Sequence, residues 1–367
     1  MNSNNYRAIL VSILATWLSL STTNSNAGNK VVVIPVFGET TPNIENVITV
    51  AKSGGDFTNP IEAVNSITDA TANKPYTIFV APGVYSISKP VVLSPYISLT
   101  GSGQNTTVIR NINPANQEVL GFTHGGSLAN SETIEVSNIK LQNSSGGQVC
   151  YGVNSFEGYF GHLDHVTIEV TGCSGTNAAI ISSSGGVTLD HVTIKARGGQ
   201  FARGISANIA SGFTVSNSKI TVSGGSTEST ALRGLDGPIS IYNSTLRVQR
   251  FSPSGNLYGI KIDSENIHPG NTDFSLINSE VIVTDPSTGM DSIGVYVIRG
   301  GNFMSRSSLI SAGTASLYSD STSTVTISNS SLIGSTVAGT GNVGIKRCAA
   351  TDDGSANLLD NNCGVAP

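Results

Sequence analysis

The stretches GHLDHVTIEV (161–170) and VTLDHVTIKA (187–196) carry one hexapeptide, LDHVTI, twice. Each copy sets an acid beside an imidazole, Asp164–His165 and Asp190–His191, the pairing by which a carboxylate orients a general base. The interval between the copies points elsewhere. An apolar residue, any residue, an Asn, His or Arg, two mostly small or polar residues and a second apolar residue recur along the chain. They read VSNIKL (136–141), LDHVTI (163–168), LDHVTI (189–194), VSNSKI (215–220), IYNSTL (241–246), LINSEV (276–281), MSRSSL (304–309) and ISNSSL (327–332). The third positions are Asn138, His165, His191, Asn217, Asn243, Asn278, Arg306 and Asn329, separated by 27, 26, 26, 26, 35, 28 and 23 residues. A second apolar run keeps step with the first: YGVNSF, AAIISS, RGISAN, YGIKID, IGVYVI and ASLYSD, led by Val153, Ile180, Ile205, Ile260, Val295 and Leu317. The long interval is explained by an insertion within SENIHPGNTDF (264–274).

Short β-rich runs at such a period are the coils of a parallel solenoid, each burying Val, Ile and Leu against its neighbours at about 4.8 Å per rung. The fold class is therefore all-β, a single-stranded parallel β-helix of roughly ten coils, right-handed by the general preference of parallel crossovers. The recurrent Asn fits a turn, because Asn tolerates the left-handed conformation and stacked amides can bond along the axis. In this register His165 and His191 stand in the turn ladder with Asn138, Asn217, Asn243, Asn278 and Asn329. Strand alternation then sends Asp164 and Asp190 away from their neighbouring imidazoles, which excludes the acid–imidazole pair. It stacks Asp164 over Asp190 instead. Like charges so placed repel, and a calcium ion would relieve them. Glu169, Lys195, Arg197 and Arg203 would complete a polar groove for an acidic glycan.

Helical spacing occurs once. PIEAVNSITDAT (60–71) has Pro at a helix start and Ile61, Val64 and Ile67 on one side, a short amphipathic helix suited to closing the N-terminal end of the solenoid. The tail RCAATDDGSANLLDNNCG (347–364) leaves the repeat and suits the other end. The organisation is a signal peptide over 1–27, an extension over 28–47, the β-helix over 48–346 with its entrance at 48–109, and a cap or tail over 347–367. The leader rests on Arg7, the apolar run AILVSILATWLSL (8–20) and the small-x-small site Ser25-Asn26-Ala27. That run is shorter than the ~20 residues of a membrane span. A secreted, periplasmic or cell-surface product follows, with no membrane span in the mature chain. Four cysteines, Cys150, Cys173, Cys348 and Cys363, then favour two disulfides, and the pairing expected is Cys150–Cys173 and Cys348–Cys363. No CxxC or His cluster supports a zinc site in their place.

Charged residues are 12% of the chain, and the formal net charge is −5. That lacks the basic footprint of a nucleic-acid binder. The low charge with abundant Val and Ile is not a disorder signature either. The Gly-x-Gly at Gly101–Gly103 lacks the strand–helix setting of a phosphate loop, so no cofactor is expected.

The stretch from Ile48 to Ile109 resembles the opening of pectin methylesterases and of the wider pectin-lyase-like superfamily. The matching motifs are Val50-Ala51-Lys52-Ser53-Gly54-Gly55-Asp56-Phe57, Ile61 with Ala63-Val64, Ile78–Tyr85 and Leu99–Ile109. The resemblance implies the right-handed β-helix and contact with polysaccharide. It does not imply the chemistry. The Gln-Asp-Thr-Leu-Tyr, Asp-Phe-Ile-Phe-Gly and Gly-Arg-Pro-Trp segments of the esterases are absent, and Trp17, the only Trp, lies in the leader. Asn271-Thr272-Asp273 matches a polygalacturonase tripeptide without the segments that should follow, and the Arg-x-Pro-x-x-Arg of pectate lyases is missing. The reading is a non-catalytic exported β-helix that presents a surface to a polysaccharide or cell-surface glycan. A diverged carbohydrate-active enzyme and a structural fibre module are the alternatives, with monomer and trimer left open.

Overall fold

The computed structural model describes residues 46–122, 133–155, 160–183, 186–207, 212–234, 237–251, 255–263, 273–285, 291–334, 346–349 and 351–353. The chain divides into two units, Met1–Ile44 and Glu45–Pro367. The first, with the expected leader, lies outside the described residues, as do Cys363, most of the insertion at 264–274 and most of the tail.

The second unit is built from strands in parallel register, wound so that each returns beside its equivalent one coil earlier. Three faces result. The first face carries Val187–Asp190, Phe213–Ser216, Ile239–Tyr242, Asp273–Ile277, Asn302–Arg306 and Thr324–Ser328. The second carries Thr193–Arg197, Lys219–Ser223, Thr245–Gln249, Glu280–Thr284, Leu309–Ala312 and Ser331–Ile333. The third carries Val149–Ser155, Thr176–Ser182, Phe201–Ala207, Glu228–Gly234, Asn256–Asp263, Ser292–Ile298 and Ala315–Ser319. This is a parallel β-helix. The strands Thr133–Asn143 and Phe160–Thr171 run through the first face into the second, their pairing interrupted only at Asn138 and His165.

The repeat's first apolar residue points inward in every described coil but one: Leu163, Leu189, Val215, Ile241, Leu276 and Ile327 are wholly buried and in register. Two positions later the chain turns from the first face to the second on one left-handed residue. Asn138, His165, His191, Asn217, Asn243, Asn278 and Asn329 have φ between 47° and 53°. The coil written MSRSSL departs from expectation by one residue. Ser307, at φ 51°, makes the turn, while Arg306 pairs with Ile277 on the first face. Ser305 consequently takes the inward position filled by Leu276 one coil before.

The helix covers Pro60–Asn65, shorter than the 60–71 pattern suggests. The Asn59 side chain accepts from the Ile61 N–H at 2.9 Å, Pro60 occupies the first turn, and Ala63 and Val64 are buried. In the preceding turn the Asp56 carboxylate accepts from the Thr49 N–H at 2.8 Å and from its hydroxyl at 2.6 Å. Cys150 and Cys173 are bonded, and Cys348 is also in a disulfide. Among the described residues no helix is long and apolar enough to cross a membrane.

Candidate functional site

The acid–imidazole pairs do form. His165 Nδ1 lies 2.7 Å from Asp164 Oδ1, and His191 Nδ1 lies 3.0 Å from Asp190 Oδ2. Strand alternation fails here because the histidines are not in strand conformation. Their positive φ turns the side chain back beside that of the preceding residue. Asp164 and Asp190 are register partners, and the two imidazoles stack at 4.6 Å with 11° between planes. Hydrogen-bond donors offset the proximity of the two carboxylates. Asp190 accepts from Ser216 Oγ at 2.7 Å and Asn217 Nδ2 at 2.8 Å. Burial pushes the Asp190 carboxyl up, and these bonds together with His191 more than reverse it.

The other members of the expected groove are dispersed. Glu169 and Lys195 are partners on the second face, 2.9 Å apart, and Lys140 reaches the same carboxylate from the coil before at 2.5 Å. Arg197 lies over the Phe251 ring at 5.0 Å. Arg203 belongs to the third face, separated from Asp164 by two turns of the coil. A single groove through all six residues is not what the structure contains.

The third face brings together a cluster that the sequence pattern did not single out. From Val149–Ser155 onward its strands pass two consecutive residues toward the interior, and the first of the two is small in each of these seven strands: Gly152, Ala179, Gly204, Ala231, Gly259, Gly294 and Ser316. A Cβ at Gly204 would sit 2.4 Å from Ala231 O and 2.5 Å from Ile220 Cγ2, which no relaxation of an aliphatic core accommodates. On either side of this seam, outward residues form columns along the axis. One runs Tyr151, Ala178, Arg203, Thr230, Tyr258, and the other runs Ser206, Arg233, Lys261, Tyr296, Tyr318.

Glu228 is the centre of the cluster. Lys261 Nζ approaches its carboxylate at 2.6 Å and Arg203 Nε at 3.5 Å, with side chains only 9%, 17% and 17% exposed. Burial alone would raise the Glu228 carboxyl, but Lys261 and Arg203 hold it below the ordinary value, so it is ionised at neutral pH. Among the described residues Arg203 Nε and Glu228 Oε1 face each other as an ion pair without a hydrogen bond and retain capacity for one. Arg203 stands over Phe201 at 4.8 Å and Lys261 over Tyr258 at 4.9 Å. Tyr258 and Tyr296 meet at 5.2 Å, and Tyr296 stacks on Tyr318 at 4.7 Å. These rings spend their faces on each other, so the row offers hydroxyls and edges rather than a flat stacking platform. Burial, reinforced by Tyr296 and Glu228, pushes the Tyr258 phenol up to about 12, and burial also raises Tyr296 and Tyr151. All three remain neutral donors. Glu118, which pairs with Tyr151 in register, is raised by burial despite a bond from Asn154 Nδ2.

Arg203 is the one residue of this cluster that the sequence reading named. The signal was present: in a chain with 12% charge, the strands Phe201–Ala207 to Asn256–Asp263 carry Arg203, Glu228, Arg233, Lys261 and Asp263. Only the register between coils makes them neighbours.

No protein-family model matches the sequence, and no curated protein does at a significant level. Solved structures do overlap. The A-module of a mannuronan C-5 epimerase from Azotobacter vinelandii is 14% identical, with a TM-score of 0.49 over 80% of this chain and 89% of that one. A pectin methylesterase from Aspergillus niger is 11% identical, with a TM-score of 0.43 over 89% and 91%. The pectin methylesterase PemA from Erwinia chrysanthemi is 12% identical, with a TM-score of 0.43 over 89% and 94%. None of these overlaps assigns a residue or an activity to this chain. The strand arrangement itself is that of a parallel β-helix.

Proposed function

We propose that this chain is an exported β-helix protein that binds a polysaccharide along its third face without turning it over. The observation that carries the reading is the row centred on Glu228, with Arg203, Lys261, Tyr258, Tyr296 and Tyr318 aligned coil by coil along the axis. A polysaccharide repeats its hydroxyls and carboxylates along one direction, and a solenoid face repeats its donors in the same way. Neutral phenols donate to hydroxyls, and the Arg and Lys heads, backed by Glu228, receive carboxylates without leaving a net excess of buried positive charge. The absence of the esterase, lyase and galacturonase motifs supports binding over catalysis.

The test is retention of the purified chain on a panel of methylated and demethylated pectins, alginate and host glycans, with product release measured in parallel. The expected result is retention on one polymer class, weakened at least about tenfold by Lys261→Ala or Tyr296→Ala, which remove a charged or hydroxyl contact. Retention unaffected by both substitutions, or no retention, overturns the site. Release of methanol or of unsaturated oligosaccharides overturns the non-catalytic part.

A further inference from the structure

The stacked histidines lie on a different part of the solenoid from the third face and have a chemistry of their own. In His165 and His191 the Nδ1 side of the ring is taken by a carboxylate, Asp164 at 2.7 Å and Asp190 at 3.0 Å. An ionised carboxylate only accepts, so in the neutral ring each Nδ1 donates to it and each Nε2 carries the lone pair. Among the described residues neither Nε2 has a hydrogen-bond partner. The two rings are parallel to within 11° and 4.6 Å apart, so both lone pairs leave the same edge of the ladder. Asp164, His165 and His191 bring possible ligand atoms within 4.8 Å of one another. Gln104 borders this spot as a neutral neighbour, its Nε2 donating to His191 O at 3.4 Å and its Oε1 accepting from Thr167 Oγ1 at 2.9 Å.

We infer that His165 and His191 form a two-imidazole site for a first-row transition-metal dication, with Asp164 and Asp190 orienting the rings from behind. A carboxylate on the remote nitrogen is the arrangement that fixes a ligating histidine's tautomer and raises its basicity. Nitrogen donors select zinc, copper or nickel over calcium, which takes oxygen. At about 2.0–2.1 Å per Zn–N bond, tetrahedral ligation needs the two Nε2 atoms about 3.3 Å apart. Imidazole lone pairs lie in the ring planes, so the rings must also swing out of their parallel stack until the two Nε2 atoms converge on one point. Side chains that are 44% and 49% exposed have the room to do so. Water completes the coordination. The ion joins two successive coils at the one place where the turn ladder carries rings instead of amides.

Zn2+ alone, titrated calorimetrically into the full-length chain in a non-chelating buffer, is expected to show one saturable site. His165→Ala and His191→Ala each weaken it at least about tenfold, and Asp164→Asn weakens it by about tenfold through the lost orientation of His165. His162→Ala, on the same strand but outside the cluster, leaves it unchanged. A readout without substitutions guards against misfolded variants: Zn2+ protects His165 and His191, and not His162, from diethyl pyrocarbonate in peptide maps of the wild-type chain. No saturable site in the wild type, a site that survives the double His165→Ala/His191→Ala change, or no protection of the two rings overturns the inference.

Discussion

Asn243 holds φ at 47°, and its side-chain amide donates to Asn217 Oδ1 at 3.5 Å, one step of the ladder along the axis. A residue without a Cβ loses little there, whereas a β-branched one meets the left-handed penalty of about 1–2 kcal/mol and cannot replace the amide. Asn243→Gly should therefore unfold within about 1 kcal/mol of wild type, and Asn243→Val about 2 kcal/mol or more below it, by urea denaturation. The column of turn residues was legible because Asn and His announce this conformation. Arg306 was placed in it one residue early, since Ser307 gives no such signal in a sequence. The Asp–His contacts were missed for a related reason: alternation is a rule for extended chain, and the residue that breaks it is the histidine itself. Charge at the residue scale carries two predictions of opposite sign. Glu228 has a folded pKa below its unfolded one, so it contributes stability above the ordinary carboxylate range and loses it as pH falls through the folded value. Glu228→Gln should remove that acid-side dependence and, by leaving Arg203 and Lys261 without their counter-ion, destabilise at pH 7 by about 3 kcal/mol. Glu118 is raised, so its ionisation costs stability above the folded value and costs nothing once pH is below the unfolded value. Glu118→Gln should accordingly be more stable than wild type at pH 7, with the gain vanishing below about pH 4 in melting curves.

At the scale of an element, the turn owes its regularity to the serine that follows it. Ser218, Ser244, Ser279, Ser308 and Ser330 each donate Oγ to the carbonyl two residues back, at 2.6–2.9 Å. Each also accepts from a buried N–H one coil earlier: Val192, Ser218, Ser244, Ser279 and Ser308 in turn, at 3.0–3.2 Å. The hydroxyl thus satisfies two backbone groups where the turn interrupts the strand ladder. Ser244→Ala leaves the Ser218 N–H unpaired in the interior and should cost about 2 kcal/mol in chemical unfolding. The sequence showed small residues at these positions but not why they are small. The Cys150–Cys173 bond, spanning a separation of 23 residues, ties one coil to the next. Its removal by Cys150→Ala/Cys173→Ala should cost about 3 kcal/mol, read as a lower melting temperature.

At the scale of the whole molecule, one repeat yields three faces with different chemistry. The αL turn separates Asp164 from Glu169, and the third face takes Arg203 away from both. A sequence writes these residues within 40 positions of one another, yet the coil turns them outward in different directions. The same winding assembles Arg203, Glu228 and Lys261 from three successive coils. The period, the inward apolar positions, the left-handed turn and the Cys150–Cys173 pair were determined by the sequence alone. Burial and backbone conformation act on each residue type locally, and a repeat prints that preference many times over. Which side chains meet across coils was decided only by tertiary structure. A shift of one residue in register, as at Arg306, or a change of face, as at Arg203, leaves the local pattern intact while exchanging every neighbour.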